Sequence, residues 1–153
     1  MTFATGRFSS HESHVCILDL ISHQVSTLPG SDGKFAPQWS PDGHFISAPS
    51  LESTSLYIFD MKTQRWLTLN TGFHGYSAWS SDSHYIYFLR IRNGAAILRI
   101  PATGGEANMV VDLKGFPLTG TGGLWLGLDP TDAPLMLRDV STTDVYALTL
   151  EQK

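Results

Sequence analysis

Cysteine is almost missing from this chain. Cys16 stands alone, so no internal disulfide and no cysteine-based zinc site can form. Its place in the apolar run Val15-Cys16-Ile17-Leu18 marks it as a buried, inert thiol. Charge is also scarce, at 16% of the residues, and its balance of 10 Lys+Arg against 14 Asp+Glu gives a formal net charge of −4. A protein that reads phosphates shows a basic surplus or stripe, so direct nucleic-acid binding is not expected. No apolar stretch reaches the roughly 18 residues of a membrane-crossing helix, so no membrane insertion is expected. The opening Met1-Thr2-Phe3-Ala4-Thr5-Gly6-Arg7 has neither the basic start nor the apolar centre of a signal peptide. The compartment stays open, cytoplasmic or periplasmic according to what precedes this sequence.

Signatures of catalysis and of cofactors are missing as well. There is no Gly-x-Ser-x-Gly pentapeptide, no Gly-x-x-x-x-Gly-Lys-Ser/Thr phosphate loop and no Gly-x-Gly-x-x-Gly fingerprint. Gly104-Gly105 and Gly122-Gly123 read as turn glycines. His11 and His14 have a spacing that metal sites use, but only Glu12 stands near as a further ligand, and the Ser/Glu-rich setting reads as a solvated loop. No enzymatic activity, metal or cofactor is expected.

Turn formers are plentiful: 14 Gly and 8 Pro stand among 11% aromatic residues, and 42% of the 153 residues are hydrophobic, enough to bury a core. Sliding the chain against itself by about 40 residues exposes a repeat. Ala36-Pro37-Gln38-Trp39-Ser40-Pro41-Asp42-Gly43-His44-Phe45-Ile46 lies over Ser77-Ala78-Trp79-Ser80-Ser81-Asp82-Ser83-His84-Tyr85-Ile86. Downstream, the segments around Cys16, Tyr57, Ile97 and Tyr146 match one another at spacings of 41, 40 and 49. The repeats run approximately over 1–30, 36–70, 76–112 and 122–150.

Each repeat reads as four short strands, a to d. In the second copy, strand a is Pro37–Ser40, strand b His44–Ala48, strand c Ser55–Asp60 and strand d Arg65–Leu69. Pro41 suits the first central position of the a–b turn, and Gly43 accepts the positive φ that ends it. Asp60 and its counterpart Asp19 suit c–d turns, where a carboxylate accepts nearby backbone N–H groups. The c strands are apolar on both faces, so each short sheet must lie between two others. Four-stranded units repeating every 40-odd residues predict an all-β, partial β-propeller of about four blades, and a sandwich is the runner-up. Trp39, Trp79 and Trp125 are assigned to the inter-blade core, and Trp66 to a half-exposed outer rim.

The Ala-x-x-Trp-Ser-Pro-Asp-Gly segment, then a strand, a loop and an apolar strand closing in Asp-x-x-Thr, resembles the WD40-like repeat called PD40. That repeat occurs in TolB and in the N-terminal propellers of dipeptidyl peptidase IV-type peptidases. The stretch from Asp112 through Trp125-Leu126-Gly127-Leu128-Asp129-Pro130 to Asp139 is similar to the last blade of bacterial proteins that join a winged-helix or kinase domain to a C-terminal PD40 propeller. The resemblance implies fold more than role. It leaves three roles open: an interaction or sensing module of a bacterial regulator, a TolB-like periplasmic scaffold, or the gating propeller of a prolyl oligopeptidase or dipeptidyl peptidase-type hydrolase. Three departures stand out. Ser83 replaces the turn glycine, Leu128 replaces the tryptophan, and Pro130-Thr131-Asp132-Ala133 reads as carrying an extra residue.

In a propeller the d–a and b–c loops open on one face, around the channel mouth. Here the d–a loops carry Lys34 and Phe35, then Phe73, His74 and Tyr76, then Lys114 and Phe116. The b–c loop of the third copy carries Arg90, Arg92 and Asn93. Exposed aromatic and Arg residues suit binding hot spots, so these ten form the candidate interaction face for a protein partner. The alternative use of Phe35, Tyr76 and Phe116 is packing between blades. The first copy lacks strand a and the last lacks strand d. The chain is therefore expected to be the C-terminal part of a larger propeller, with a partner in the rest of that ring or self-association through open blade edges.

Overall fold

The computed structural model describes residues 1–6, 12–69, 72, 75–119 and 124–142. Among them are thirteen strands and no helix. Blade one holds β1 (Thr2–Thr5), β2 (His14–Leu18) and β3 (Val25–Thr27). Blade two holds β4 (Gln38–Trp39), β5 (Phe45–Pro49), β6 (Leu56–Asp60) and β7 (Arg65–Leu69). Blade three holds β8 (Gly75–Trp79), β9 (Tyr85–Arg90), β10 (Ala96–Pro101) and β11 (Asn108–Asp112). Blade four shows β12 (Leu126–Leu128) and β13 (Pro134–Met136). Every sheet is an antiparallel meander in chain order. The strand expected over Asp144–Thr149 lies outside the described residues.

Side chains alternate across each strand, and this alternation stacks the blades. On β6, Leu56 and Ile58 join Trp79, Ile86 and Phe88 in a core between blades two and three. Phe59, on the other face of β6, joins Val15, Ile46 and Ala48 between blades one and two. On β9, Ile86 and Phe88 face blade two, while Tyr87 and Leu89 join Leu126 between blades three and four. The two central strands of each middle blade are therefore buried on both faces because both faces meet a neighbour, whereas the outer strands β7 and β11 are largely exposed. Each fully buried side chain of this size contributes roughly 1.5–3 kcal/mol. The stack is that of propeller blades.

Left-handed backbone recurs at the repeat spacing. His23, Gln64 and Gly104 take φ of 60°, 57° and 89° in the c–d turns; Ser53 and Asn93 take 55° and 58° in the b–c loops; Ala36 and Tyr76 take 44° and 48° where the inner strands begin. The a–b turns carry Gly43, Ser83 and Asp132 at 73°, 64° and 63°.

Those a–b turns explain the motif. The Ser40 hydroxyl donates to Asp42 Oδ1 at 2.5 Å and accepts the Phe45 N–H at 2.9 Å, while Asp42 Oδ1 accepts the His44 N–H at 2.9 Å. Ser80, Asp82, His84 and Tyr85 repeat the arrangement at 2.6, 2.9 and 2.9 Å. Ser83 does more than fill the place of a glycine. Its hydroxyl accepts the Asp42 N–H of the preceding blade at 3.1 Å. Asp132 likewise reaches back, accepting the Ser81 N–H at 2.8 Å and hydroxyl at 3.1 Å.

Two expectations are corrected. The fourth a–b turn has no extra residue and is one shorter: Trp39 pairs with Ile46 and Trp79 with Ile86, seven positions on, whereas Leu128 pairs with Pro134, six positions on. Trp125 is outside the inter-blade core and 47% exposed. Its indole lies so close over Gly127 that a Cβ there would fall 2.2 Å from the ring. Gly127 sits between Leu126 and Leu128, which face blade three, so Trp125 covers the outward face of blade four beside exposed Leu135. Trp39 and Trp79 do pack between blades, and Trp66 is half-buried against the blade one–two core.

Candidate functional site

The loop that leads from blade one into blade two pairs with the b–c loop of blade two. Lys34 bridges Ser50, the Phe35 N–H donates to Pro49 O at 3.1 Å, and the Leu51 N–H donates to Gly33 O at 3.0 Å. This pairing brings the d–a and b–c loops to one end of the blades, the mouth face. The a–b and c–d turns form the far face.

Two of the concavities on the mouth face gather most of the expected face residues. One is an apolar pocket of about 390 Å³ at the start of the inner strands, lined by Phe35, Ala36, Pro49, Tyr76, Ile91 and Leu124, with Gln38, Ser53 and Ser77 as its polar members. Tyr76 is the extra residue of a β-bulge, since the register of β8 on β9 shifts between Gly75 and Ser77. Ala36 and Tyr76 hold left-handed backbone without being glycine, and bulges that aim a side chain are frequent next to functional sites. Tyr76 is 44% exposed.

The second concavity is a groove of about 600 Å³, and it gathers Arg90, Asn93, Lys114 and Phe116 with Met109 and Asp112. Arg90 Nε donates to Gly94 O at 3.1 Å, which steadies the b–c loop. Asp112 Oδ1 accepts the Lys114 N–H at 2.9 Å. Among the described residues no carboxylate lies within ion-pair distance of the Arg90 or Lys114 side chain. Ile91 lines the pocket and Arg90 the groove, so the two concavities adjoin along one loop.

The ten expected face residues divide accordingly. Phe35 and Tyr76 share the pocket; Arg90, Asn93, Lys114 and Phe116 share the groove; Arg92 is exposed on the same b–c loop and lines neither. Phe116 also packs on the blade three–four core, so one ring serves both uses. Phe73 and His74 lie outside the described residues. Lys34 does not belong to the face. It is 9% exposed, and its ammonium donates to Gly30 O at 2.8 Å while lying 4.4 Å from the Tyr57 ring centroid and 4.9 Å from that of Trp66. Burial pushes its pKa down, and Asp32 opposes the shift. No sequence signal marks a lysine for such a place, because the rings that cover it are 23 and 32 residues downstream.

The described histidines that meet carboxylates are tied to them locally, His44 and His84 on the far face and His14 on the mouth face, where Asp32 belongs to the d–a loop. His44 Nδ1 is 3.3 Å from Asp42 Oδ2, His84 Nδ1 is 3.2 Å from Asp82 Oδ2, and His14 Nδ1 is 3.1 Å from Asp32 Oδ1. In both a–b turns the aspartate stands between serine and histidine, so no histidine is placed to take the serine proton. His11 lies outside the described residues. No group of three metal-ligating side chains converges among the described residues. Cys16 is buried between the Thr5 and Thr27 hydroxyls, at 3.8 and 3.6 Å.

The far face is lined by aspartates held in their own turns. Asp19 Oδ1 accepts the Ile21 and Ser22 N–H groups, and Asp60 Oδ1 those of Lys62 and Thr63. Backbone donors, from Ser22 and from Thr63 first, hold both carboxyls below the usual range. The Ser40, Ser80 and Thr131 hydroxyls do the same, as the leading cause, for Asp42, Asp82 and Asp129.

No protein-family model matches this chain. No curated protein matches it either. Solved structures do. TolB from Acinetobacter baumannii superposes with a TM-score of 0.61 at 13% identity, over 91% of this chain and 40% of that one. A structural genomics protein of unknown function from Bacteroides thetaiotaomicron gives a TM-score of 0.61 at 17% identity, over 83% of this chain and 34% of that one. A prolyl endopeptidase gives 0.59 at 15% identity, over 84% of this chain and 23% of that one. The chain thus spans well under half the length of the structures it matches. At these identities the likeness concerns the fold, which is a TolB-like β-propeller.

Proposed function

We propose that the chain is a non-catalytic β-propeller module that recognises a protein partner on its mouth face, as part of a larger propeller in a bacterial signalling or transcriptional regulator. The observation that carries the binding reading is the apolar pocket at the inner-strand entrance. Three non-glycine residues of its lining, Ala36, Ser53 and Tyr76, hold left-handed backbone, and Tyr76 presents a large ring to solvent. An exposed tyrosine on a bulged strand beside an apolar pocket supplies contact area at low entropy cost. The larger-propeller reading draws support from the outward face of blade four, where Trp125 and Leu135 stand exposed. The likenesses to TolB and to a prolyl endopeptidase bear equally on a periplasmic scaffold and on a gating propeller, and the sequence flanking this one separates those roles.

The test places a photo-crosslinking amino acid at position 76 or, on the far face, at position 62, in the cells that make the protein. Adducts are expected from position 76 and not from position 62, and Ile91→Asp should abolish them while the melting transition stays cooperative, its midpoint lowered because Ile91 is half-buried against the blade three–four core. Equal adducts from both faces would defeat the binding reading. Peptidase or esterase turnover by the purified chain, lost on changing one residue, would defeat the non-catalytic one.

A further inference from the structure

The two concavities of the mouth face differ in chemistry, and their contiguity restricts what fits across them. The pocket is apolar and lies at the small end of the roughly 300–1,000 Å³ that ligand sites occupy. It suits one or two side chains better than a cofactor. The groove beside it brings Arg90 and Lys114 together, and its single carboxylate, Asp112, already accepts the Lys114 N–H. The opposite face carries the turn aspartates Asp19, Asp42, Asp60, Asp82 and Asp129. On the mouth face Arg90 and Lys114 thus line one groove beside the apolar pocket, with Asp112 the carboxylate among its described lining residues.

Resting on the mouth-face reading above, we infer that the partner is an extended acidic peptide segment, which seats an aromatic or aliphatic side chain in the Tyr76–Ile91 pocket and lays following carboxylates along Arg90 and Lys114. Rows of opposite charge steer encounter and fix direction, while the buried side chain supplies most of the affinity. A nucleic acid fits less well. Two cations next to an apolar pocket neutralise few phosphates, and the pocket offers nothing to a sugar-phosphate backbone.

The test pans a random heptapeptide display library on the immobilised protein. Enriched sequences should carry Phe, Trp, Leu or Ile within three positions of at least two Asp or Glu. A labelled peptide of the enriched sequence should bind about tenfold more weakly to Lys114→Glu and weaken with added salt, while Lys62→Glu on the far face leaves its affinity unchanged. If peptides are enriched and lose binding with Ile91→Asp but show no acidic preference, the partner class is wrong and the mouth face stands. If nothing is enriched, or binding ignores Ile91→Asp, the mouth face itself is wrong. Competition by a single-stranded oligonucleotide at equal concentration would overturn the peptide in favour of nucleic acid.

Discussion

Two tryptophans that look alike in the sequence should differ sharply in what they hold together. Trp79 is 9% exposed; its ring stacks on Phe45 with centroids 6.2 Å apart and planes 17° apart, and its Nε1–H donates to Gln38 O at 3.2 Å, joining blades two and three. Trp79→Ala removes a core aromatic and should cost about 3–5 kcal/mol. Trp79→Phe keeps a ring against Phe45 and loses the donor. The Gln38 carbonyl still faces the Ser47 hydroxyl at 3.4 Å, so the cost should stay near 1–2 kcal/mol. Trp125→Ala removes a ring that lies over Gly127 on an open face and should cost about 1 kcal/mol or less. For a chain of this size about 2–4 °C of melting temperature accompanies each kcal/mol, so the losses separate as roughly 6–20, 2–8 and 0–4 °C. Urea unfolding followed by fluorescence gives the same ranking. If Trp125→Ala is as damaging as Trp79→Ala, or if Trp79→Phe melts with Trp79→Ala, the inter-blade account is wrong.

Ser83→Ala removes the acceptor of the Asp42 N–H and should cost about 1–2 kcal/mol, whereas Ser83→Gly also relieves the left-handed backbone and should recover about 1 kcal/mol of that; an alanine variant as stable as the parent in urea would refute the inter-blade bond. Acid should weaken the fold through the turn aspartates. Their folded pKa values lie below the ordinary 3.8, so the unfolded chain takes up protons first, and the contribution is complete above about pH 4 and lost as pH falls through the lowered values. Asp42→Asn with Asp82→Asn should flatten the urea midpoint between pH 5 and about 3, and an unchanged slope in that double variant would show that these carboxylates do not carry the effect.

The fold was legible because its signals are local and repeated. A tryptophan, a Ser-x-Asp turn and an apolar strand return at a fixed spacing, and a c strand apolar on both faces can only lie between two sheets. What a local pattern does not say is which face meets which neighbour. Trp125 occupies a place in the repeat close to that of Trp39 and Trp79, yet one position of register turns a side chain to the other face of a strand. Lys34 escaped for a different reason. Charge argues for exposure unless the partners are known, and its partners Tyr57 and Trp66 sit on strands of the next blade. The groove was half legible. Arg90, Asn93, Lys114 and Phe116 were grouped by loop class alone, and only the structure shows that the loops on either side of one blade converge.

The bonds that Ser83 and Asp132 make give the array a direction. In both, a side chain in the later blade grips the turn of the earlier one, as a pawl engages the tooth behind it. Gly43 occupies the same position in blade two and has no side chain with which to reach back. A unit copied from blade three would therefore bring its own latch for whatever a–b turn stood before it, while a unit copied from blade two would bring none. Growth of such a ring by duplication has a grain, and it runs with the chain.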